Sequence, residues 1–365
     1  MGSGNAATLI VNSGSLTVNG SINAGQGAGS GTINLNGGVL AATQIYATAN
    51  SSYTQKLIIK GGTFKALANQ STNLFVFSTG NATIGTGGAT IDTNGFNVTQ
   101  TQALLQNGAE TGGLTKSGNG TLTLAGVNTY TGGTTVTAGT LVLSVGGVIG
   151  NGAVAVNGGQ FTVNGSTGSG AVTVAALGTL SGTGTIGGAT TISGTHNPGN
   201  SPGIQTFSSS LTYSGTSAVN WELRTNTTTV GSNPTANFDQ IIIGGNLAFT
   251  GTTTLALSFT PASGSDVLWS DSLWSSSKTG TNGWLVYQVA GTTSNFPANF
   301  TLTTANWLDS GGHLFNAALP GASFQLNQVG QDIYLNYTAV PEPATWALLA
   351  FSLTTVVVLR RRRRE

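Results

Sequence analysis

Short runs in which apolar and polar residues alternate recur along most of the chain. Leucine, isoleucine or valine occupies every second position in runs such as 16–18, 33–35 and 122–124, with threonine or asparagine between them. Alternation with a period of two, rich in aliphatic and β-branched residues, is typical of strands that bury one face. Turn-forming residues separate the runs, and almost no stretch ahead of the C-terminus favours a helix. The pattern therefore predicts an all-β protein.

Glycines precede many of these runs at regular intervals of 24 residues early in the chain and of 19 or 20 residues later. They are Gly14, Gly38, Gly62, Gly139, Gly158 and Gly178. A strand–turn repeat of this length indicates a solenoid. The leucine and asparagine consensus of leucine-rich repeats is missing, so a parallel β-helix is favoured. At roughly 21 residues per rung, residues 9–200 are expected to form about nine rungs stacked about 4.8 Å apart.

The composition changes near residue 200. Residues 196–203 form a dense cluster of turn residues, and all six tryptophans follow it. The later strand patterns are longer and more aromatic, and they lie at 211–223, 241–249, 253–259, 284–289, 300–303 and 324–337. We expect residues 1–203 to form β-helix repeats and 204–339 to form the last rungs with a β-rich cap. A cap covers the open edge of a terminal rung, which otherwise invites aggregation.

Charged residues make up only 6% of the chain, and cysteine is absent. An ordinary globular domain carries about 25% charged residues. The one basic cluster is a run of five arginines at 360–364. No nucleic-acid partner is therefore expected, because such partners need a basic patch on the folded domain. No disulfide, thiolate chemistry or cofactor is expected either.

The stretch from residue 113 to 143 resembles the autotransporter-associated β-strand repeat. The resemblance rests on three boxes: Leu-Thr-Lys-Ser-Gly-Asn-Gly at 114–120, Asn-Thr-Tyr-Thr-Gly-Gly-Thr at 128–134 and Ala-Gly-Thr-Leu at 138–141. Repeats of that family form right-handed β-helical passengers of secreted surface proteins. The resemblance therefore implies a right-handed coil and a surface location, and it implies no activity. The chain departs from true autotransporters because it does not end in alternating strands of a translocator barrel.

The C-terminal segment 340–365 is a third predicted unit. An uncharged apolar run at 344–359 follows Pro343 and stops at the arginines. As a helix the run would span about 24 Å, close to the hydrocarbon thickness of a bilayer. The fold class predicted from sequence is thus a parallel β-helix with a β-rich cap, followed by a single C-terminal transmembrane helix. Because arginine clusters beside such helices stay in the cytoplasm, the preceding chain would be exported across the inner membrane.

This segment also resembles the PEP-CTERM sorting signal of Gram-negative bacteria. The signal combines a Pro-Glu-Pro box, an apolar run and a terminal arginine block in that order. An exosortase is thought to cleave near the box, after which the protein reaches the cell surface or extracellular matrix. The resemblance assigns the sorting motif to Val340, Pro341, Glu342, Pro343, Ala344 and Thr345, and the membrane stop to Arg360, Arg361, Arg362, Arg363 and Arg364.

Export also requires an entry signal, and residues 1–5 have neither a basic n-region nor an apolar h-region. We therefore expect the natural start to lie upstream.

Two sequence patterns of catalytic or cofactor-binding sites occur, but the residues around them do not fit those sites. Gly199-Asn-Ser201-Pro-Gly203 matches a nucleophile elbow, and Asp239 and His313 follow in hydrolase order. Pro202 has no N–H to donate to an oxyanion, however, so a turn is favoured. Gly182-Thr-Gly184-Thr-Ile-Gly187 matches a dinucleotide-binding pattern, but a strand pattern follows it, so a corner is favoured.

Metal sites are not predicted. His196 and His313 are far apart in sequence, and the repeats contain only Asp92 among aspartates, whereas calcium-binding rolls need one at every repeat.

Three functions stay open. The favoured one is a non-enzymatic, adhesin-like surface or matrix protein that is processed by an exosortase. The second is a surface module that binds polysaccharide through aromatic residues of 269–307. The third is a polysaccharide-active β-helix enzyme, which would need a pair of carboxylates in a groove. Asp266 and Asp271 lie near Trp269 and Trp274 in sequence, but turn-capping aspartates and core tryptophans are the favoured interpretation.

Overall fold

The structure, a computed structural model, describes residues 6–25, 29–47, 54–77, 81–233, 236–260, 264–303 and 307–340. In these ranges the chain winds into a coil whose successive turns, or rungs, stack their strands in parallel. The prediction of an all-β, parallel stack is confirmed. The right-handed sense of the coil and the boundary at residue 203 stay predictions.

The long sheet runs the length of the stack and takes one strand from each rung in chain order. All of its neighbouring strands are parallel. Its twelve strands are Ser15–Thr17, Val39–Ala42, Thr63–Ala66, Ala89–Asp92, Leu114–Ser117, Thr134–Val136, Val154–Val156, Val172–Val174, Thr190–Ile192, Leu211–Tyr213, Leu247–Phe249 and Thr293–Ser294. The first nine fall within residues 15–192, which agrees with the rung number expected from the glycine spacing.

A second sheet of nine parallel strands forms another wall of the coil. Its strands are Val98–Gln100, Thr121–Leu124, Thr140–Leu143, Gly159–Val163, Gly178–Gly182, Thr195–Pro198, Thr216–Glu222, Thr252–Ser258 and Phe300–Leu302. Two shorter sheets complete the first rungs. One contains Ala7–Val11, Gly31–Leu35, Gln55–Ile59, Asn81–Ile84 and Leu104–Gln106, and the other contains Ser21–Asn23, Gln44–Tyr46 and Phe75–Val76.

A third wall begins at the seventh rung and ends in the cap. Its eight strands, in spatial order, are Val148–Ile149, Ser166–Thr167, Thr185–Ile186, Ile204–Phe207, Gln240–Ile243, Trp284–Val289, Asp332–Thr338 and Ser323–Val329. The last two form an antiparallel hairpin, and Asp332–Thr338 also pairs antiparallel with Trp284–Val289. The cap therefore closes this wall by reversing the strand direction. The short helices are Ser272–Ser275, Gly280–Asn282 and Phe315–Ala318.

The core is a set of side-chain columns inside the coil, because alternate residues of each strand point inward. In the second sheet the register pairs Leu122 with Leu141, Leu141 with Phe161, and Phe161 with Leu180. All four side chains are fully buried. The next residue of the column, opposite Leu180, is His196. A polar side chain thus continues an apolar column.

Glycine corners follow the predicted spacing with shifts of one residue. Gly14, Gly38 and Gly139 adopt positive φ, as expected. At two other predicted corners the residue with positive φ is the adjacent glycine: Gly61 instead of Gly62, and Gly159 instead of Gly158. Two adjacent glycines are equally able to take positive φ, so the sequence alone does not distinguish them. Gly178 lacks positive φ. A Cβ there would lie 2.5 Å from the Val156 carbonyl oxygen, so close packing requires this glycine.

The fold-class prediction is wrong in one part, the C-terminal transmembrane helix. Helices in the described ranges have at most four residues, and none has the length or apolarity of a membrane span. The apolar run at 344–359, on which that prediction rested, lies outside the described residues.

The column model predicts a large difference between two identical substitutions. Leu141→Ala should lower the free energy of unfolding by about 2–5 kcal/mol, because it leaves a cavity in a fully buried column. Leu177→Ala removes the same atoms from a side chain that is 84% exposed, so it should change stability by less than about 0.5 kcal/mol. Denaturant unfolding of both variants checks this. Equal losses would contradict the placement of Leu141 inside the coil.

Candidate functional site

The segment with the recognisable boxes forms the fifth and sixth rungs of the coil. Its strands are Leu114–Ser117, Thr121–Leu124, Thr134–Val136 and Thr140–Leu143. Leu114 lies opposite Thr134 and Leu122 opposite Leu141, so the two halves of the segment stack directly on one another. The repeat therefore contributes two strands to each of two consecutive rungs, and the strands of one rung pair with those of the next.

The lysine of the first box is a buried structural residue. Lys116 has no exposed surface, and its Nζ donates hydrogen bonds to the carbonyl oxygens of Ser117 at 2.9 Å, Gly118 at 2.7 Å and Ala138 at 3.0 Å. Burial lowers the pKa of Lys116 to about 8, and the nearby Asp92 carboxylate opposes the shift. The group therefore stays an ammonium at pH 7, with three protons for three carbonyl groups. It ties one corner of the coil to the equivalent corner of the next rung.

The asparagine of the second box joins three rungs. Asn128 accepts the Leu104 N–H through Oδ1 at 2.9 Å, and its Nδ2 donates to the carbonyl oxygens of Gly126 and Val148, both at 2.9 Å. The short sheet that begins with Ala7–Val11 ends at Leu104–Gln106, so it contributes no strand to the rung of Asn128. The Asn128 amide thus pairs backbone groups where regular strand pairing is interrupted.

Tyr130, in the same box, is buried, and its hydroxyl hydrogen-bonds the Thr134 hydroxyl at 2.8 Å. Burial raises its pKa well above the ordinary value. This tyrosine is a neutral core residue.

These contacts explain why the boxes contain polar residues at fixed spacing. Residues 114–143 match the passenger-associated-transport-repeat family. The match confirms the autotransporter-type repeat predicted from the sequence, over this segment of the chain. A comparison with curated proteins gave no match. A passenger-type repeat in a parallel β-solenoid indicates a protein of the cell envelope or surface.

The predicted sorting motif lies almost entirely outside the described residues. Only Val340 is described, and it is 42% exposed just after the last strand, Asp332–Thr338. The other five residues of the motif and the five arginines, Arg360 to Arg364, lie beyond it. Their assignment stays a prediction.

The hydrolase-like trio is not assembled. Ser201 hydrogen-bonds the Glu222 carboxylate, while Asp239 accepts the backbone N–H groups of Gly203 at 2.7 Å and Glu222 at 2.9 Å. His313 lies in the cap and bonds Asp309 through Nδ1 at 3.1 Å. The elbow pattern therefore forms a turn, as favoured from the sequence. The Gly182–Gly187 pattern is also a corner, in which Thr185–Ile186 is a strand.

Asp239 is a fully buried carboxyl group behind this turn. Burial raises its pKa well above the ordinary value, and the neighbouring Glu222 charge adds to the rise, while the two backbone N–H bonds oppose it. Its oxygens orient the Gly199–Gly203 turn against the strand that ends at Glu222. Asp239 is therefore placed to hold the turn rather than to reach a substrate.

The cap tryptophans do not form an exposed platform. Trp269, Trp274 and Trp284 are at most 3% exposed and pack edge-on or stacked with Phe259 and one another. Asp271 accepts the Leu273 N–H and begins the Ser272–Ser275 turn. The interpretation of these residues as core tryptophans and a capping aspartate is confirmed for the four named.

The cap does contain a cleft of about 520 Å³ between Trp269, His313, Leu314 and Ala317. Asp309 lies beneath the imidazole. Burial favours a higher pKa for this carboxyl group, but hydrogen bonds from the backbone of His313 and Trp269 and from the imidazole lower it overall. Asp309 is therefore an anion that orients the ring. The described residues contain no group of three or more potential metal ligands.

Sequence reasoning missed His196, which lies at the centre of a buried hydrogen-bond network. Its Nε2 lies 2.7 Å from Gln205 Oε1 and its Nδ1 lies 2.6 Å from the Tyr213 hydroxyl, to which Tyr287 donates at 3.1 Å. An Nε2–H tautomer satisfies every member of this network. Burial lowers the pKa of His196 to about 4, so the ring is neutral at pH 7. Tyr213 and Tyr287 lie on later rungs, so their distance from His196 in sequence forms no local motif that could have predicted the network.

Replacing the buried lysine tests the role of the repeat boxes. Lys116→Met should lower the free energy of unfolding by about 1–3 kcal/mol, since three buried carbonyl groups lose their shared donor. Lys56→Met is the matched control, because Lys56 is exposed. The change in the urea midpoint measures both effects. A loss for Lys56→Met as large as that for Lys116→Met would contradict the proposed role.

The buried histidine makes stability depend on pH. Unfolded histidine titrates near pH 6.5 and the folded group near 4, so the unfolded state binds more protons between these values. The stability contributed by neutral His196 should thus fall by about 3 kcal/mol as the pH drops from 7 to 4.

The difference in unfolding free energy between wild type and His196→Gln isolates this term from other titrating groups. His313→Gln is the control, since the His313 side chain is 69% exposed. A wild-type minus His196→Gln difference that stays constant from pH 7 to 4 would show that His196 is not held neutral.

Proposed function

We propose that this protein is an exported, non-enzymatic, adhesin-like component of the cell surface or extracellular matrix. The single observation that supports it best is the passenger-associated-transport repeat at 114–143, embedded in a continuous parallel coil. Proteins with such repeats are passengers delivered to the outside of the cell. A structural role is proposed because polar residues of the repeat, Lys116 and Asn128, hydrogen-bond the backbone of the coil itself.

The physical character of the coil suits that location. Backbone groups of each rung pair with those of the next, and the interior columns are mainly apolar. The chain therefore needs neither disulfides nor a charged surface to stay folded. A wall coated with threonine, asparagine and serine is uncharged over most of its length. Such a wall does not depend on the ionic strength outside the cell.

Processing by an exosortase is the proposed route to the surface. The Pro341–Pro343 box begins three residues after the last strand, and Val340 immediately before it is exposed. An exposed residue directly before the box, beyond the final strand, supports cleavage that leaves the coil and cap intact. Exosortase is thus the proposed processing partner, and the sequence order of box, apolar run and arginines is its second support.

The alternative in which cap tryptophans bind polysaccharide loses its structural basis, because three of them are core residues. The buried position of Asp239 likewise disfavours a glycosidase with a carboxylate pair near Ser201. Both observations support the non-enzymatic proposal.

The processing proposal predicts a defined C-terminus. The chain, fused to a secretion signal, should appear at the surface of an exosortase-carrying Gram-negative host without Arg360–Arg364, as intact-mass measurement would report. An exosortase-deficient host and the variant Glu342→Ala should both retain the arginines. Glu365→Ala, which removes a carboxylate outside the box, should be processed normally. Surface protein that keeps its arginines in the exosortase-carrying host would refute the sorting assignment.

A further inference from the structure

The outward face of the second sheet carries a polar column across four successive rungs. The register places Thr162 opposite Ser181 and Ser181 opposite Asn197. Asn220, on the next strand, donates from Nδ2 to Asn197 Oδ1 at 2.8 Å. Four rungs at the strand spacing make the column about 14 Å long. The column is therefore an extended strip along the coil axis.

Hydrogen bonds within the strip fix the orientation of its side chains. Thr162 and Ser181 hydroxyls lie 2.9 Å apart, and Gln160 Nε2 donates to Ser181 Oγ at 2.8 Å. Gln160 Nε2 also donates to Thr162 Oγ1 at 3.2 Å, so both of its N–H groups serve the strip. A carboxamide has two N–H donors and two acceptor lone pairs, so Asn220, which donates once to Asn197, has capacity beyond the bond that orients it. The strip thus presents the Thr162 hydroxyl and the amides of Asn197 and Asn220 in preset positions, while the buried Ser181 supports them from beneath.

The Gly199–Gly203 turn rises beside the strip and converts it into a groove. Gly199 and Gly182 exchange backbone hydrogen bonds at 2.9 and 3.1 Å, and Asn200 Nδ2 donates to Asn164 Oδ1 at 2.9 Å. Asp239 holds the far end through Gly203 N–H. Hydrogen bonds thus fix both ends of the Gly199–Gly203 turn, so the groove is a permanent feature of the fold.

One carboxylate faces this groove. Glu222 ends the strand Thr216–Glu222 and lines the groove with Ser201, whose side chain hydrogen-bonds it. Burial raises the pKa of Glu222, and the Ser201 bond opposes the rise. The groove encloses about 350 Å³, within the usual range for small-ligand sites.

We infer that this groove binds a neutral oligosaccharide. Its described lining combines hydroxyl, amide and backbone groups with the apolar ring of Pro198 and one carboxylate, and lysine and arginine are absent from that lining. Sugar hydroxyls donate and accept hydrogen bonds and carry no charge, so they match oriented amides and a carboxylate acceptor. An anionic glycan or a nucleic acid would meet Glu222 without a compensating cation. The elongated strip also fits a chain of sugars rather than a compact metabolite.

The groove is a binding site rather than a hydrolytic one. The second carboxyl group near it, Asp239, is fully buried with both oxygens bonded to backbone N–H groups. Glycosidases place two carboxyl groups on either side of the scissile bond, and only Glu222 meets that condition here. The inference goes beyond the proposed export route and does not depend on it, because it is tested on purified protein.

Titration calorimetry with laminarihexaose, cellohexaose and mannohexaose tests the inference. At least one of these neutral probes should bind the wild-type chain, and a hexamer of galacturonic acid should bind at least tenfold more weakly. Asn220→Ala should weaken binding by about 3- to 10-fold through one lost hydrogen bond. Asn220→Trp should abolish it, because the ring would fill the groove above an exposed position.

The matched controls are Asn36→Ala and Asn36→Trp. Asn36 Nδ2 bonds Asn12 Oδ1 at an exposed corner just beyond the strands Ala7–Val11 and Gly31–Leu35, as Asn220 bonds Asn197. These controls should bind like wild type. Binding of none of the neutral probes at millimolar concentration, equal binding by Asn220→Trp, or preference for the galacturonic acid hexamer would overturn the assignment. Release of reducing ends from a bound probe would overturn the conclusion that the groove only binds.

Discussion

Parallel backbone pairing between successive rungs is the constraint on which the rest of this structure depends. Each strand of the long sheet takes its register from the strand one rung earlier, through twelve rungs. Because side chains alternate inward and outward, a fixed register places every inward residue on the same column. The aliphatic columns, the glycine corners and the uncharged outer walls all follow from that register. A chain with 6% charged residues stays folded because its backbone groups are paired along the stack.

Polar side chains inside the coil lie where backbone or side-chain groups lack a partner from regular strand pairing. Lys116 satisfies three carbonyl groups at the corners, and Asn128 joins rungs where one sheet ends. Neutral His196 continues an apolar column and has its own hydrogen-bond partners. Unpaired, each of these backbone or side-chain groups would cost about 1–3 kcal/mol. The passenger-type repeat is thus best understood as a structural unit whose polar residues complete the coil.

The sequence predicted what depends on local periodicity. Alternation located strands such as Thr121–Leu124 and Gly159–Val163, and glycine spacing predicted the number of early rungs. It did not predict the burial of Lys116 or His196, or the groove formed by Asn197 and Asn220. Those features depend on hydrogen-bond partners 17–23 residues away in sequence, which come together only when the rungs stack. The C-terminal membrane helix was predicted from hydropathy alone, without any constraint from the stack.

Spin-label distances along the long sheet test the stacking most directly, and the absence of natural cysteines makes the labelling unambiguous. The register links Thr115 through four rungs to Thr191 and through six rungs to Ala248. Double electron–electron resonance on the two cysteine pairs should give label separations near 19 and 29 Å, broadened by the label linkers, at about 4.8 Å per rung. Distances that do not increase with rung number would contradict the parallel coil.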